Sequence, residues 1–488
     1  MICLLKRWNF IILGTVLILL NLHCNQDTKN KIPITTSSPK ALKQFLKGRE
    51  LFEKLRLQES SQYFKEALEL DSNFALARLN YAITQPTIKG FFEELNQAVS
   101  LVDQVSEGER LMILGLEAAV NGFSMKEHTY YQRLVEIYSR DERAHNLLGN
   151  YYFTQQDFNL AIKHYRIATE INPKFSQPYN QLGYSHRYLE NFDEAEEAFK
   201  QYIKLIPNDP NPYDSYAELL MKMGLFEESI NTYKKALKID SNFVASHIGI
   251  ANNLMFLERH NEAREQLNTL FNIARNEGEK RAAKFTMALT YIDESDIDKA
   301  IDEFNWLYNF SSEIDDYGNM AQDLTNMGNI FLEQAKPEQA ISKYKRALHI
   351  IENSNLSEEI KENAKHLFLY FQAKVAIQKN DLNTAKALSE KYSQWADSNN
   401  NRPLIRLAHQ LKGMIAFKSK KYDEALGEFN RSNLQDPYNL FRISMAFKEK
   451  GETWKAKEFC HKAAHHNTLN SLDYAFIRKK AQKELTKF

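Results

Sequence analysis

Cysteine is nearly missing from this chain. Its 488 residues include three, Cys3, Cys24 and Cys460. The first lies in an apolar N-terminal stretch and the second directly follows it. One cysteine remains in the body, so no internal disulfide staple is available there. Glycine and proline are also scarce, at 16 and 11, too few for a loop-rich β sandwich or barrel. No excess of either charge exists, since 63 Lys and Arg balance 63 Asp and Glu. A nucleic-acid binder usually carries a basic surplus, so no nucleic-acid partner is expected. No glycine-rich phosphate loop, nucleophile elbow or paired Cys-x-x-Cys occurs. Neither a cofactor nor an enzyme's catalytic centre is therefore expected. A deep, closed pocket lined by converging ionisable groups would favour an enzyme of unrecognised type, and a smooth open groove would count against it.

What the chain does have is a folded composition, with 43% hydrophobic and 26% charged residues, and one spacing that keeps returning. Small residues stand twelve apart at Gly149 and Ala161, Gly183 and Ala195, Ala217 and Ser229, Ala251 and Ala263, and Ala288 and Ala300. The series continues with Gly328 and Ala340, Ala373 and Ala385, Gly413 and Ala425, and Ser444 and Ala456. A small residue at both places lets two antiparallel helices approach backbone to backbone. A hairpin of this kind buries its apolar face only by stacking on neighbours, so the pattern predicts an array of helical hairpins.

In residues 142–175, Leu148, Tyr152, Ile162, Tyr165 and Ile171 recur at helical spacing. Gln155-Gln156-Asp157 makes the turn, and Asn172-Pro173 stops the second helix. Leu148, Gly149, Tyr152, Ala161, Tyr165, Ala168 and Pro173 resemble the pattern of the tetratricopeptide repeat. Leu182, Gly183, Ala195, Phe199 and Pro207 repeat it at the 34-residue period of that family. The resemblance implies an all-α, right-handed superhelical solenoid of helix-turn-helix repeats, about twelve pairs plus a cap. The expected boundaries are a divergent set of repeats at 41–141, a regular array at 142–280, an array with longer linkers at 281–470 and a capping helix at 471–488. In 75–141, Glu94 and Tyr130 occupy places expected to be small.

The resemblance also implies that first helices line a concave groove for a peptide or a partner helix. Residues at i, i+4 and i+7 share a helix face. They nominate Asn146, Asn150, Phe153, Asn180, Tyr184, Arg187, Tyr188, Glu218, Met221, Asn252, Met255 and Phe256 as partner-binding residues. An Asn row suits an extended backbone, because its amide both donates and accepts. The Lys and Arg of chaperone-binding members are not in place, since Asn146 and Ser215 stand there. Cys460, His461, His465 and His466 form the one metal-like cluster, and it reads as a polar helix surface.

Residues 1–24 join Lys6 and Arg7 to an apolar run from Trp8 to Leu22. That run is short for a membrane span and suits a signal peptide. Cys24 is placed as in the lipobox of bacterial lipoproteins, although His23 and Asn21 depart from the usual box. An ordinary signal remains the alternative. The resemblance implies lipidation of Cys24, a polar tether at 25–40, and a place in a bacterial cell envelope, on the periplasmic side or at the outer membrane. The expected function is a non-catalytic, membrane-tethered scaffold for a protein partner, or a structural subunit of an envelope assembly machine.

Overall fold

The computed structural model describes residues 30–488. Cys24 and the apolar run lie outside the described residues. The described chain forms twelve helical hairpins and one closing helix. Hairpins 1 to 3 are α1 (Pro39–Glu53) with α2 (Leu57–Leu70), α3 (Ala75–Ile83) with α4 (Ile88–Val99), and α5 (Glu107–Val120) with α6 (Ser124–Ile137). Hairpins 4 to 6 are α7 (Glu142–Thr154) with α8 (Phe158–Ile171), α9 (Gln177–Tyr188) with α10 (Phe192–Leu205), and α11 (Pro210–Lys222) with α12 (Phe226–Ile239). Hairpins 7 to 9 are α13 (Val244–Phe256) with α14 (His260–Ile273), α15 (Glu277–Asp293) with α16 (Ile297–Glu313), and α17 (Tyr317–Glu333) with α18 (Pro337–Glu352). Hairpins 10 to 12 are α19 (Glu358–Gln378) with α20 (Leu382–Ser398), α21 (Arg402–Lys418) with α22 (Tyr422–Phe429), and α23 (Pro437–Glu449) with α24 (Thr453–Ala464). The last helix is α25 (Leu472–Leu485).

Local chemistry delimits these helices. Asp141 accepts from the amide of Arg143 at 2.8 Å to cap α7, and Ser106 with Glu109 forms a reciprocal capping box on α5. Proline opens α1, α11, α18 and α23, where its missing N–H costs nothing. The longer repeat spacing after residue 276 is taken up by longer helices: α15, α16 and α17 have 17 residues each and α19 has 21, against 14 in α8.

All nine twelve-residue pairs are buried. Where the small residue is serine, the close approach is explicit. The Ser229 hydroxyl donates to the Ala217 carbonyl at 2.7 Å, and the Ser444 hydroxyl to the Ala456 carbonyl at 2.6 Å. A second regularity lies beside the first. The ring sixteen residues after each glycine fills the space its missing Cβ leaves: Tyr165 against Gly149, Phe199 against Gly183, Tyr344 against Gly328 and Phe429 against Gly413. Gly115 with Tyr131 follows the same rule. Hairpin 3 is therefore in register three residues earlier than the sequence reading placed it. Glu127, not Tyr130, holds its second small place, and Glu127 is buried.

Residues 31–36, expected in the tether, lie against the first hairpins. The Ile32 amide donates to Asp141 at 3.0 Å, the Thr35 amide to Glu109 at 2.8 Å, and Lys31 pairs with Glu142.

The first helices also touch one another, α11 with α13, α13 with α15 and α19 with α21. They form the inner, tighter wall of the superhelix. One superhelical turn rests on the next along a polar seam. Hairpin 2 meets hairpin 9 where the Ile88 amide donates to Asp316 at 3.3 Å. Hairpin 3 meets hairpin 10 where Asn363 Nδ2 donates to the Asn121 carbonyl at 2.8 Å. Hairpin 4 meets hairpin 11 through Arg402 and Asp157 at 3.0 Å. Hairpin 5 meets hairpin 12 where Gln435 Nε2 donates to the Tyr188 carbonyl at 3.4 Å. The offset is seven hairpins each time. Carbonyls at the end of an α-helix lack partners within it, and here amides of the next turn supply some of them.

Candidate functional site

The inner wall has two stretches, and they differ in what fills them. Over hairpins 6 to 8 the wall is covered by the chain's own C-terminal segment. Met221, Met255 and Phe256 are buried against Tyr474 and Ile477 of α25. Asn252 is 1% exposed and bonds to Asn470, its Oδ1 accepting from the Asn470 amide at 3.3 Å. These four were expected to face a partner. The structure corrects that, because α25 and the loop before it occupy the place.

An ion network locks this cover. Arg478 Nε and Nη2 donate to the two oxygens of Asp293 at 2.8 and 2.6 Å, and Nη2 also reaches Glu258 at 2.7 Å. His260 Nε2 stands 2.9 Å from Asp293. Burial alone would raise the Asp293 carboxyl, but the hydrogen bonds from Arg478 and His260 outweigh it and hold it below the usual carboxylate range. Glu258, His260 and Asp293 bring their ligand atoms within 4.8 Å of one another. The cation that this cluster holds is the Arg478 guanidinium, a side chain that sequence reasoning passed over as part of a Lys-rich amphipathic cap. The earlier histidine cluster is split: Cys460 is buried and donates to the Ala481 carbonyl at 3.3 Å, whereas His461 stacks on His465.

The other nominated residues lie on hairpins 4 to 6. Arg187 pairs with Glu218 at 3.0 Å, and the Tyr184 hydroxyl donates to Glu218 at 2.9 Å. Asp214, beside them, accepts from Ser246 at 2.7 Å, and its carboxyl is pushed well up by burial and then by Glu218. Arg187 is thus a structural counter-ion, 8% exposed, and not a free anchor. Asn150 accepts from the Tyr165 hydroxyl at 2.8 Å, as Asn329 does from Tyr344 at 2.9 Å. Asn150, expected to read a ligand backbone, is thus bound to the packing ring, as is its counterpart Asn329. Asn146 and Asn180 are buried, and each has an Oδ1 without a hydrogen-bond partner. Phe153 and Tyr188 stay half-exposed in an edge-to-face contact at 5.6 Å, with Tyr188 stacked on Phe158.

Over hairpins 9 to 12 the wall opens into a cavity of about 350 Å³ between α17, α19, α21, α23 and α25. Sequence reasoning named none of its charged residues. Lys374 Nζ stands 5.5 Å over the Tyr370 ring, and the Arg442 guanidinium lies 4.4 Å over Tyr438. The Tyr370 hydroxyl donates to Gln410 at 2.7 Å, Gln410 donates to Asp436 at 3.3 Å, and Tyr438 donates to Glu333. Burial, and next to it Asp473, pushes the Asp436 carboxyl up to about 7, against the pull of Arg442. Burial lowers the Lys374 ammonium. Both tyrosine hydroxyls are thus already committed to neighbours.

Four stretches match the tetratricopeptide repeat family: residues 142–175, 176–209, 211–243 and 324–356. They coincide with hairpins 4, 5, 6 and 9 and join an all-α superhelical solenoid. The chain is a tetratricopeptide-repeat protein, of a family that serves as protein–protein interaction scaffolds. Among solved structures it is similar to a MamA protein at 17% identity and a TM-score of 0.29, over 36% of this chain and 94% of that one. It is also similar to MamA from Desulfovibrio magneticus RS-1, residues 41 to the end, at 13% identity and a TM-score of 0.30, over 35% and 96%. No curated protein matches it.

Proposed function

We propose that this chain is a non-catalytic scaffold, tethered to a membrane of the bacterial cell envelope through Cys24, whose inner wall holds a partner polypeptide. The observation that carries the reading is the docking of α25. The wall takes a helix through an aromatic anchor, Tyr474, an aliphatic one, Ile477, and a buried guanidinium, Arg478. Aromatic and Arg anchors of this kind are also what protein interfaces use. The stretch left for a partner is the one at Phe153 and Tyr188. Tethering rests on Lys6, Arg7, the apolar run and Cys24. Among the described residues no helix is long and apolar enough to cross a membrane.

The test is site-specific photo-crosslinking of the full chain in envelope preparations. Probes at Phe153 and Tyr188 should trap one polypeptide that probes at Lys200 and Trp454, on second helices, do not. Trapping only from the second helices would sink the inner-wall reading. Cys24→Ala should release the protein from the membrane fraction, and unchanged fractionation would remove the tether.

A further inference from the structure

We propose that the cavity of hairpins 9 to 12 is a binding site for a small zwitterion, a free amino acid or short peptide carrying both an ammonium and a carboxylate. This goes beyond the partner reading and does not depend on it.

The cavity presents charges of both signs that form no ion pair within 4.0 Å with one another. Lys374, on α19, makes no ion pair within 4.0 Å among the described residues, and its Nζ stands 5.5 Å over the Tyr370 ring. Arg442, on α23, donates to the Asn439 side chain at 2.7 Å and stands over the Tyr438 ring at 4.4 Å. Arg406, on α21, has a shielded Nη1 with no hydrogen-bond partner. Three first helices thus bring unpaired cations to one space. Facing them, Asp473 in the first turn of α25 has a free carboxylate, and Asp436 caps α23 through the Tyr438 amide at 2.8 Å.

A partly enclosed charge without a partner is costly. The lowered Lys374 ammonium and the raised Asp436 carboxyl are two expressions of that cost. A simple acid would satisfy the cations and leave Asp473 and Asp436 facing its negative charge. A phosphate would do so with more charge. A simple amine would leave the guanidiniums unmet. A ligand with both groups satisfies both sides. Arg442, over the Tyr438 ring, carries the planar fork that can take a carboxylate with two hydrogen bonds. Leu332, Leu407, Met414 and Phe476 supply the apolar part of the lining and suit an aliphatic side chain. The volume lies in the range of small-molecule sites, about 300–1,000 Å³.

The experiment is isothermal titration calorimetry of the full chain, purified in detergent. The probes are L-leucine, L-leucyl-L-leucine, N-acetyl-leucine and leucinamide. One of the two zwitterions should bind at a single site more tightly than about 1 mM. Each blocked form, lacking one charge, should bind at least about ten-fold more weakly. Asp473→Asn and Arg442→Leu should each weaken the zwitterion by a similar factor. Asp473 is exposed to the cavity, so its variant keeps the test valid if Arg442→Leu fails to fold. Binding of N-acetyl-leucine or leucinamide as tight as that of the zwitterion overturns the proposal. So does undiminished binding by Asp473→Asn, or failure of both zwitterions to bind.

Discussion

Replacing Arg478 by alanine should detach the C-terminal helix from the wall while leaving the repeats folded. The Arg478 and Asp293 side chains are 4% and 0% exposed, and two hydrogen bonds of 2.8 and 2.6 Å join them. Without the guanidinium, Asp293 keeps only His260 at 2.9 Å and the distant Lys479 ammonium at 3.9 Å. Removing one member of a buried pair typically costs about 3–5 kcal/mol, because the remaining charge stays buried. The Glu258 contact adds little, about 0–1 kcal/mol, since that side chain is 52% exposed. The loss is local. Stability in a repeat array is a sum of neighbouring interfaces, so a global melt would understate it. Native-state hydrogen exchange resolves it, read at the amides of α25 and α15. The expected result is a drop of about 3–5 kcal/mol in the opening free energy of α25, with α1 to α8 unchanged. Asp293→Asn added to Arg478→Ala should restore part of it, since it removes the stranded charge. A drop under about 1 kcal/mol would refute the reasoning, and so would a double variant no better than the single one.

Three further outcomes are expected. In Gly183→Leu the new Cβ meets the Phe199 ring at 2.5 to 2.7 Å, so the variant should lose about 1–3 kcal/mol or more by urea denaturation, and an unchanged midpoint would remove the packing argument. His164 is held down to about 4, by burial first and then by His145, Lys163 and His128. Its folded form therefore takes a proton less readily than the unfolded chain, and stability should fall as pH drops from about 6.5 toward about 4, by up to about 1.4 kcal/mol per pH unit. His164→Gln should flatten that slope, and an unaltered pH profile of the urea midpoint would show the site to be unimportant. Glu127 is the opposite case, pushed up to about 7 by burial. Its folded form binds the proton more readily, so its contribution is lost as pH rises from about 4.5 to about 7, and Glu127→Ala should gain about 1–3 kcal/mol at pH 8 and little at pH 4. An equal effect at both pH values would exclude ionisation as the cause.

The parts of this fold that were legible in the sequence are those set within one hairpin. The small pair at Gly149 and Ala161 and the stop at Pro173 depend on neighbours fewer than 35 residues away. The sixteen-residue step from glycine to a ring was equally local, and reading it would have put hairpin 3 in register through Gly115 and Tyr131. The seam and the covered wall were not legible. Asn363 reaches Asn121 across 242 residues, and Arg478 reaches Asp293 across 185. Such meetings depend on the rotation accumulated over several hairpins, and no residue pair encodes that. Asparagines that looked like a ligand-reading row therefore proved to hold rings, as Asn150 does, while Asn363 and Asn467 tie one turn to the next. The cavity escaped notice for the same reason, because its five helices lie far apart in the chain.

The seam and α25 together decide what kind of scaffold this can be. An open solenoid offers its inner wall along its whole length and flexes as each interface yields a little. Here hairpins 2 to 5 are tied to hairpins 9 to 12, so the two halves of the chain cannot move apart without breaking contacts such as Arg402 with Asp157. The cavity lies in the second of these halves, and α25 forms one side of it through Asp473 and Phe476. The same helix covers Met221, Met255 and Phe256 on hairpins 6 and 7, which lie between those halves. A ligand that draws on Asp473 therefore acts on the helix that covers the inner wall of hairpins 6 to 8. By linkage, whatever favours α25 in place must be favoured by it in return.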